Sequence, residues 1–312
     1  MKRTLRILLI INIVLLSSIF IFATKTNTST TLIPTKPNEF QKKGTNNVGE
    51  QYQIRAIKIP DNLNFAGERL PLEKWDVKER IDRELLVNTY WQSNSLLLFK
   101  RANKYFPIIE PILAKHGIPD DFKYLALIES GLRNVTSHAG AKGFWQIMKA
   151  TGKENGLEIN DNVDERYHVE KATEVACKYL NASFKKFGNW TLTAASYNAG
   201  RAGIARRLKA QMVDNYYDLL LVEETARYML RIIAVKEIIS HPDLYGFQFD
   251  LEDLYTLSAS KTIEVDTTIT NIAQFAKNLG TNYKELKLLN PWLKQNKLNN
   301  ASRKKYYLKI AQ

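Results

Sequence analysis

From residue 75 to residue 241 the apolar positions recur at helical spacing. Val77, Ile81, Leu85 and Asn88 fall at i, i+4, i+8 and i+11, on one face of a helix that opens at Trp75. Leu96 to Phe106 continues the pattern. Pro107 and Pro111 predict a separate helix over 108–115, closed by His116 and Gly117. Pro119-Asp120-Asp121 starts a central helix with negative charge in its first turn, and Ser130-Gly131 stops it. Phe144 to Met148 predicts the start of a further helix, ended by Gly152 or Gly156. Residues 169–187 form a long helix with Ala172, Val175, Ala176, Tyr179, Leu180 and Phe184 as its apolar face. Residues 190–197 give a shorter one rich in small side chains. Residues 223–239 give a strong one striped by Ala226, Met229, Leu230, Ile233 and Ala234. Nothing between Trp75 and His241 alternates as a strand should, so the main domain is all-α.

The pattern changes near Tyr255. Residues 262–266 alternate as a strand, two short helices follow around Ile272 and Leu286, and residues 305–310 alternate again. Strand–helix–helix–strand in so short a stretch is a small α+β module. At the other end, Lys2, Arg3 and Arg6 precede an apolar run over 7–23, the layout of an export signal or signal anchor. Residues 24–72, rich in Thr, Asn, Lys and Pro towards their start, read as a tether. The expected division is therefore a signal segment at 1–23, a tether at 24–72, a helical domain at 73–248 with its core at 105–245, and the module at 255–312. On this reading everything after residue 23 lies outside the cytoplasm, anchored in the inner membrane or released if the signal is cleaved.

Charge and cysteine content narrow the picture. The net charge is +13, which points to a polyanionic partner such as nucleic acid, anionic lipid or an acidic wall polymer, or only to solubility. The excess is concentrated in 255–312, with ten Lys and Arg against three Asp and Glu. An export signal argues against nucleic acid. Cys177 is the only cysteine, which rules out an internal disulfide framework. No Cys or His cluster has metal-ligand spacing, and no cofactor motif is present.

The candidate chemistry centres on Glu129. Phe122, Leu125, Ala126 and Glu129 fall at i, i+3, i+4 and i+7, so the acid shares the stripe that packs inward. A carboxyl group losing water there has a raised pKa and can act as a general acid. The plainer alternative is an acid that ends the helix and faces solvent. Three further segments stand downstream: Ser137-x-x-Gly140-Ala141-x-Gly143-Phe144-Trp145-Gln146-Ile147, then Ser196-Tyr197-Asn198-Ala199-Gly200, then Glu224-Thr225-x-x-Tyr228. In this order and spacing they resemble the lysozyme-like domain of bacterial lytic transglycosylases over residues 105–245. Two departures stand out: Phe144-Trp145 where the family has Leu-Met before the glutamine, and Ser196 in place of an alanine.

The resemblance implies a goose-type lysozyme-like fold and cleavage, without water, of the MurNAc–GlcNAc bond of peptidoglycan to leave a 1,6-anhydro-MurNAc end. It assigns Glu129 as the single acid/base. Ser137 matches a serine that orients the acid or the acetamido group, unless it only caps its loop. Gln146, Tyr197 and Asn198 match residues of the substrate cleft. Gly140 and Gly143 let the backbone pass close to the sugar, and Trp145 stacks on it or belongs to the core. Glu224 supports the cleft, and Tyr228 packs in the core or reaches the cleft. The candidates for a second carboxylate, Asp161, Asp164 and Glu165, read as solvated charges in a polar loop. The C-terminal module resembles a LysM peptidoglycan-binding domain, with Val265-Asp266 where Gly-Asp is usual. The expected partners are peptidoglycan strands, the membrane through the N-terminal segment, and other cell-wall enzymes. The competing readings are a goose-type lysozyme, which hydrolyses the same bond, and a non-catalytic wall-binding protein.

Overall fold

A computed structural model describes residues 54–312. The expected signal segment and most of the tether lie outside the described residues. Among the described residues no helix is long and apolar enough to cross a membrane. Residues 63–70, expected in the tether, are packed instead. They form a small antiparallel pair, β1 (Asn64–Phe65) and β2 (Glu68–Arg69), and Leu63, Phe65 and Leu70 are buried in the core. Three apolar side chains so close together are enough to attach the segment.

The helical domain runs α1 (Trp75–Tyr90), α2 (Gln92–Lys115), α3 (Lys123–Ser130), α4 (Lys149–Glu154), α5 (Val169–Phe187), α6 (Trp190–Ala199), α7 (Arg201–Gln211) and α8 (Glu223–Ser240). The two stretches expected to break at Pro107 are one continuous helix, α2, with both prolines inside it. Pro107 and Pro111 are four residues apart and both exposed, so the missing N–H groups fall on the solvent side. The inner stripe Leu98, Phe99, Ala102, Phe106, Ile109 and Leu113 therefore runs unbroken. A second expectation also changes: residues 144–147 are not helical. Gln146 has φ 47, which no helix admits, and Lys142 bridges both Thr136 and Ile147, so the chain forms a tight loop before α4.

Helix α8 packs against α1, α3 and α6, and α5 against α2 and α6. This places α3 inside the domain, with Leu125, Ala126 and Leu127 fully buried and Gly131 in the left-handed conformation that ends it. The C-terminal module pairs β3 (Ser260–Val265) with β4 (Tyr306–Ala311) in antiparallel register, with α9 (Ile272–Asn278) and α10 (Tyr283–Leu289) between them in sequence. Its core contains one residue of the helical domain, Val163, which bridges Leu293. Backbone hydrogen bonds from Asp164 to the Trp292 carbonyl and from Lys294 to the Asn162 carbonyl extend the seam. Lys304 pairs with Glu158, and Lys309 with Glu170. Part of the module's positive charge is thus spent on carboxylates of the helical domain.

The same seam corrects the view of residues 161–165 as solvated. Asp161 is exposed, but Asp164 and Glu165 are buried. Asp164 receives a two-pronged bond from Arg166, Nε at 2.9 Å and Nη2 at 2.8 Å. Burial works against its charge, yet Arg166 outweighs that and holds its pKa below the usual carboxylate range. Glu165 pairs with Lys171.

Candidate active site

Glu129 stands on the last turn of α3, at the wall of a cavity of about 360 Å³. α1 contributes Glu84 and Asn88, Trp91 stands at the junction of α1 and α2, α2 contributes Arg101, the segment after α3 contributes Arg133 and Val135, and α8 contributes Arg227 and Arg231. The carboxyl group is half-buried: it opens on the cavity, and protein surrounds it elsewhere. Burial raises its pKa, opposed by a hydrogen bond from Tyr228 and by the charge of Arg231, with Glu224 adding a small push upward. The net direction is up, so the proton is held to higher pH than on a free glutamate. Tyr228 donates its hydroxyl proton to Glu129 Oε1 while its ring lies in the core, so it joins the two roles that its position allowed. Its own pKa is well above the usual value, through burial first and then the adjacent Glu129.

The loop after α3 is tied to the acid from below. Ser130 donates to the Phe144 carbonyl at 2.9 Å. The Gln146 side chain donates to the carbonyls of Gly143 (2.8 Å) and Val135 (3.2 Å), the latter residue lining the cavity. Gln146 therefore shapes the wall, and its left-handed backbone is strain localised beside the site. Ser137 accepts from the Ala141 N–H at 3.0 Å, the loop-capping arrangement. Asn198 donates to Glu224 at 3.2 Å and accepts from Thr225 at 2.8 Å, which joins the ends of α6 and α8. Glu224 is exposed.

Trp145 and Gly143 face protein where a substrate contact was open to them, and Tyr197 bonds to the backbone. Trp145 is fully buried and donates its ring N–H to Thr173 at 2.8 Å, so it offers no face to a sugar. Tyr197 spends its hydroxyl proton on the Trp145 carbonyl at 2.7 Å, yet it stays close to Glu129, whose charge adds to burial in raising its pKa. Gly143 is needed against protein, not substrate: a Cβ there would stand 1.9 Å from the Arg166 carbonyl oxygen. Several cavity residues escaped the sequence reading, Trp91 and Glu84 among them. Trp91 is 60% exposed and lines the cavity, whereas Trp145 is fully buried. Glu84 is buried in the wall, and its Oε1 receives Arg83 and Arg227, both at 2.7 Å. It lies three residues after Ile81 on the α1 stripe, the same signal that singled out Glu129.

A larger cavity of about 430 Å³ lies between the helical domain and the module, bordered by Tyr105, His168, Trp292 and Tyr307; Glu129 is not part of it. Among the described residues no cluster of His, Cys, Asp and Glu has the makings of a metal site.

Sequence comparison finds likenesses for both the helical domain and the C-terminal module. Residues 106–219 match the Transglycosylase SLT domain, and residues 261–312 match the soluble lytic transglycosylase C-terminal LysM-like domain. The chain carries both. It is homologous to membrane-bound lytic murein transglycosylase D of Escherichia coli K12, with 27% identity over 239 residues, covering 74% of this chain and 51% of that protein. It is also similar to a putative tributyltin chloride resistance protein of Alteromonas sp. strain M-1, 29% identical over 110 residues, covering 35% of this chain and 53% of that one. The chain spans about half the length of these relatives.

Proposed function

We propose that the protein is a peptidoglycan lytic transglycosylase, with Glu129 as its single general acid/base. The observation that carries this reading is the raised pKa of Glu129 in an open cleft, with Tyr228 hydrogen-bonded to it. The other carboxylate lining that cavity, Glu84, takes both guanidiniums on Oε1 and leaves Oε2 without a hydrogen-bond partner, but it is buried in the wall, so neither water nor a sugar carbon reaches it. A hydrolase of the inverting or direct-displacement kind needs a second free carboxylate across the bond. With one, the substrate supplies the rest. Glu129 donates its proton to the leaving glycosidic oxygen as the C1–O bond breaks, and the neighbouring N-acetyl oxygen stabilises the developing cation. The C6 hydroxyl then attacks C1, returns its proton to Glu129 and closes the 1,6-anhydro ring.

The relation to a membrane-bound murein transglycosylase supports a periplasmic, membrane-associated enzyme, anchored through residues 7–23. The domain limits read from sequence, 73–248 and 255–312, belong to the same proposal. Mass spectrometry of fragments released from purified sacculi tests it. Anhydro-MurNAc ends are the expected result; reducing MurNAc ends would make the protein a lysozyme, and sacculus binding without release would make it a wall-binding protein.

A further inference from the structure

The cleft holds more positive charge than its own carboxylates use. Arg227 is paired with Glu84, and Arg231 faces Glu129 while donating to the Ile128 carbonyl at 3.3 Å. Arg101 and Arg133 have no carboxylate partner among the described residues. Arg101 reaches from α2 to the end of α3, where its Nη2 would lie 3.5 Å from a Cβ on Gly131. Its Nε is buried without a hydrogen-bond partner. Burial, and then the nearby charge of Arg133, hold its pKa below the usual arginine value. Arg133 uses its Nε on the Ser130 carbonyl at 3.3 Å, which leaves its terminal nitrogens for the cavity that both residues line. Two like charges side by side, one with a buried unsatisfied donor, destabilise the fold. An anion bound between the two terminal forks offsets the like charge.

We propose that Arg101 and Arg133 form an anion subsite in the cleft, which takes a carboxylate carried by the glycan strand next to the bond that Glu129 protonates. The planar guanidinium fork suits a carboxylate and has no comparable match on a neutral sugar. The subsite rests on the transglycosylase reading and makes the cleft selective for acidic muramyl strands over neutral N-acetylglucosamine polymers. The carboxylate has two sources: the free lactyl group of a strand stripped of peptide, or the acidic residues of a peptide still attached.

The test uses the full chain carrying Glu129→Gln, so that ligands bind without turnover. Three tetrasaccharides are titrated by calorimetry: peptide-bearing muramyl, peptide-stripped muramyl, and neutral N-acetylglucosamine. The acidic ligands are expected to bind at least about tenfold more tightly than the neutral one, the scale of one charge-assisted hydrogen bond. Adding Arg101→Gln and Arg133→Gln collapses that ratio towards one, whereas Arg101→Lys retains part of it. Loss confined to the peptide-bearing ligand assigns the carboxylate to the peptide; loss confined to the stripped ligand assigns it to the lactyl group. An unchanged ratio in the double variant overturns the subsite. Should that variant fail to fold, salt decides: the acidic preference must shrink as ionic strength rises, and a salt-independent ratio overturns it equally. Product analysis on the unmutated enzyme fails or succeeds separately, so loss of the transglycosylase reading would be distinguishable from loss of the subsite.

Discussion

Replacing Tyr228 with Phe isolates the contact that tunes Glu129. The phenol hydroxyl donates to Glu129 Oε1, and that bond favours the ionised acid against the dominant effect of burial. A hydrogen bond to a charged group is worth about 1.5–3 kcal/mol. Its loss leaves burial less opposed and raises the Glu129 pKa further. A general acid must be protonated, so activity declines as pH rises through that pKa. The alkaline limb of kcat/KM for soluble-fragment release should therefore move to higher pH in Tyr228→Phe. The rate at the plateau should fall modestly, because the acid is also less firmly oriented. The ring remains and only one oxygen is removed from a buried site, so the folded state should survive. An alkaline limb that stays in place, or moves down, would refute the reasoning.

Trp145→Ala should cost about 3–5 kcal/mol of stability by chemical denaturation, since it empties a fully buried site. Trp91→Ala, at an exposed cleft position, should leave stability nearly unchanged and raise KM for glycan. Val163→Asp places a carboxylate inside the core of the C-terminal module. Calorimetry should show a loss of about 2 kcal/mol or more and an earlier, separate transition for that module. Glu129→Gln should alter stability in a pH-dependent way. A carboxyl whose folded pKa is raised contributes most below its unfolded pKa, and that contribution is lost as pH rises through the folded value. The amide removes this loss, so the variant's melting temperature should exceed that of the unmutated protein above the Glu129 pKa and not below it.

The helical domain was legible because its apolar stripes carry the packing: the boundaries of α5 agree with the spacing to the residue. What the spacing could not supply was the direction in which interruptions face. Pro107 and Pro111 read as a break, yet they lie outward and leave the inner stripe of α2 intact. Gln146 read as helical, because no local pattern signals a left-handed residue held by its own side chain. Glu129 stood out through its place on a stripe, and Glu84, by the same rule, should have done so. Trp145 was ambiguous from sequence, since a buried aromatic and a sugar platform share one pattern. Arg101 and Arg133 lie 32 positions apart, and only the fold makes them neighbours. The docking of the C-terminal module on residues 158–170 was likewise invisible, because Val163 offered no periodic pattern that could assign it to another domain's core.

The proton at Glu129 is what the proposed chemistry requires first. Release of 1,6-anhydro muropeptides from purified sacculi by the unmutated protein and by Glu129→Gln, side by side, measures it. General acid–base help contributes about 10²–10⁴-fold. The account predicts a loss of that size in a variant that still folds and still binds sacculi. Release within a few-fold of the unmutated rate would contradict it.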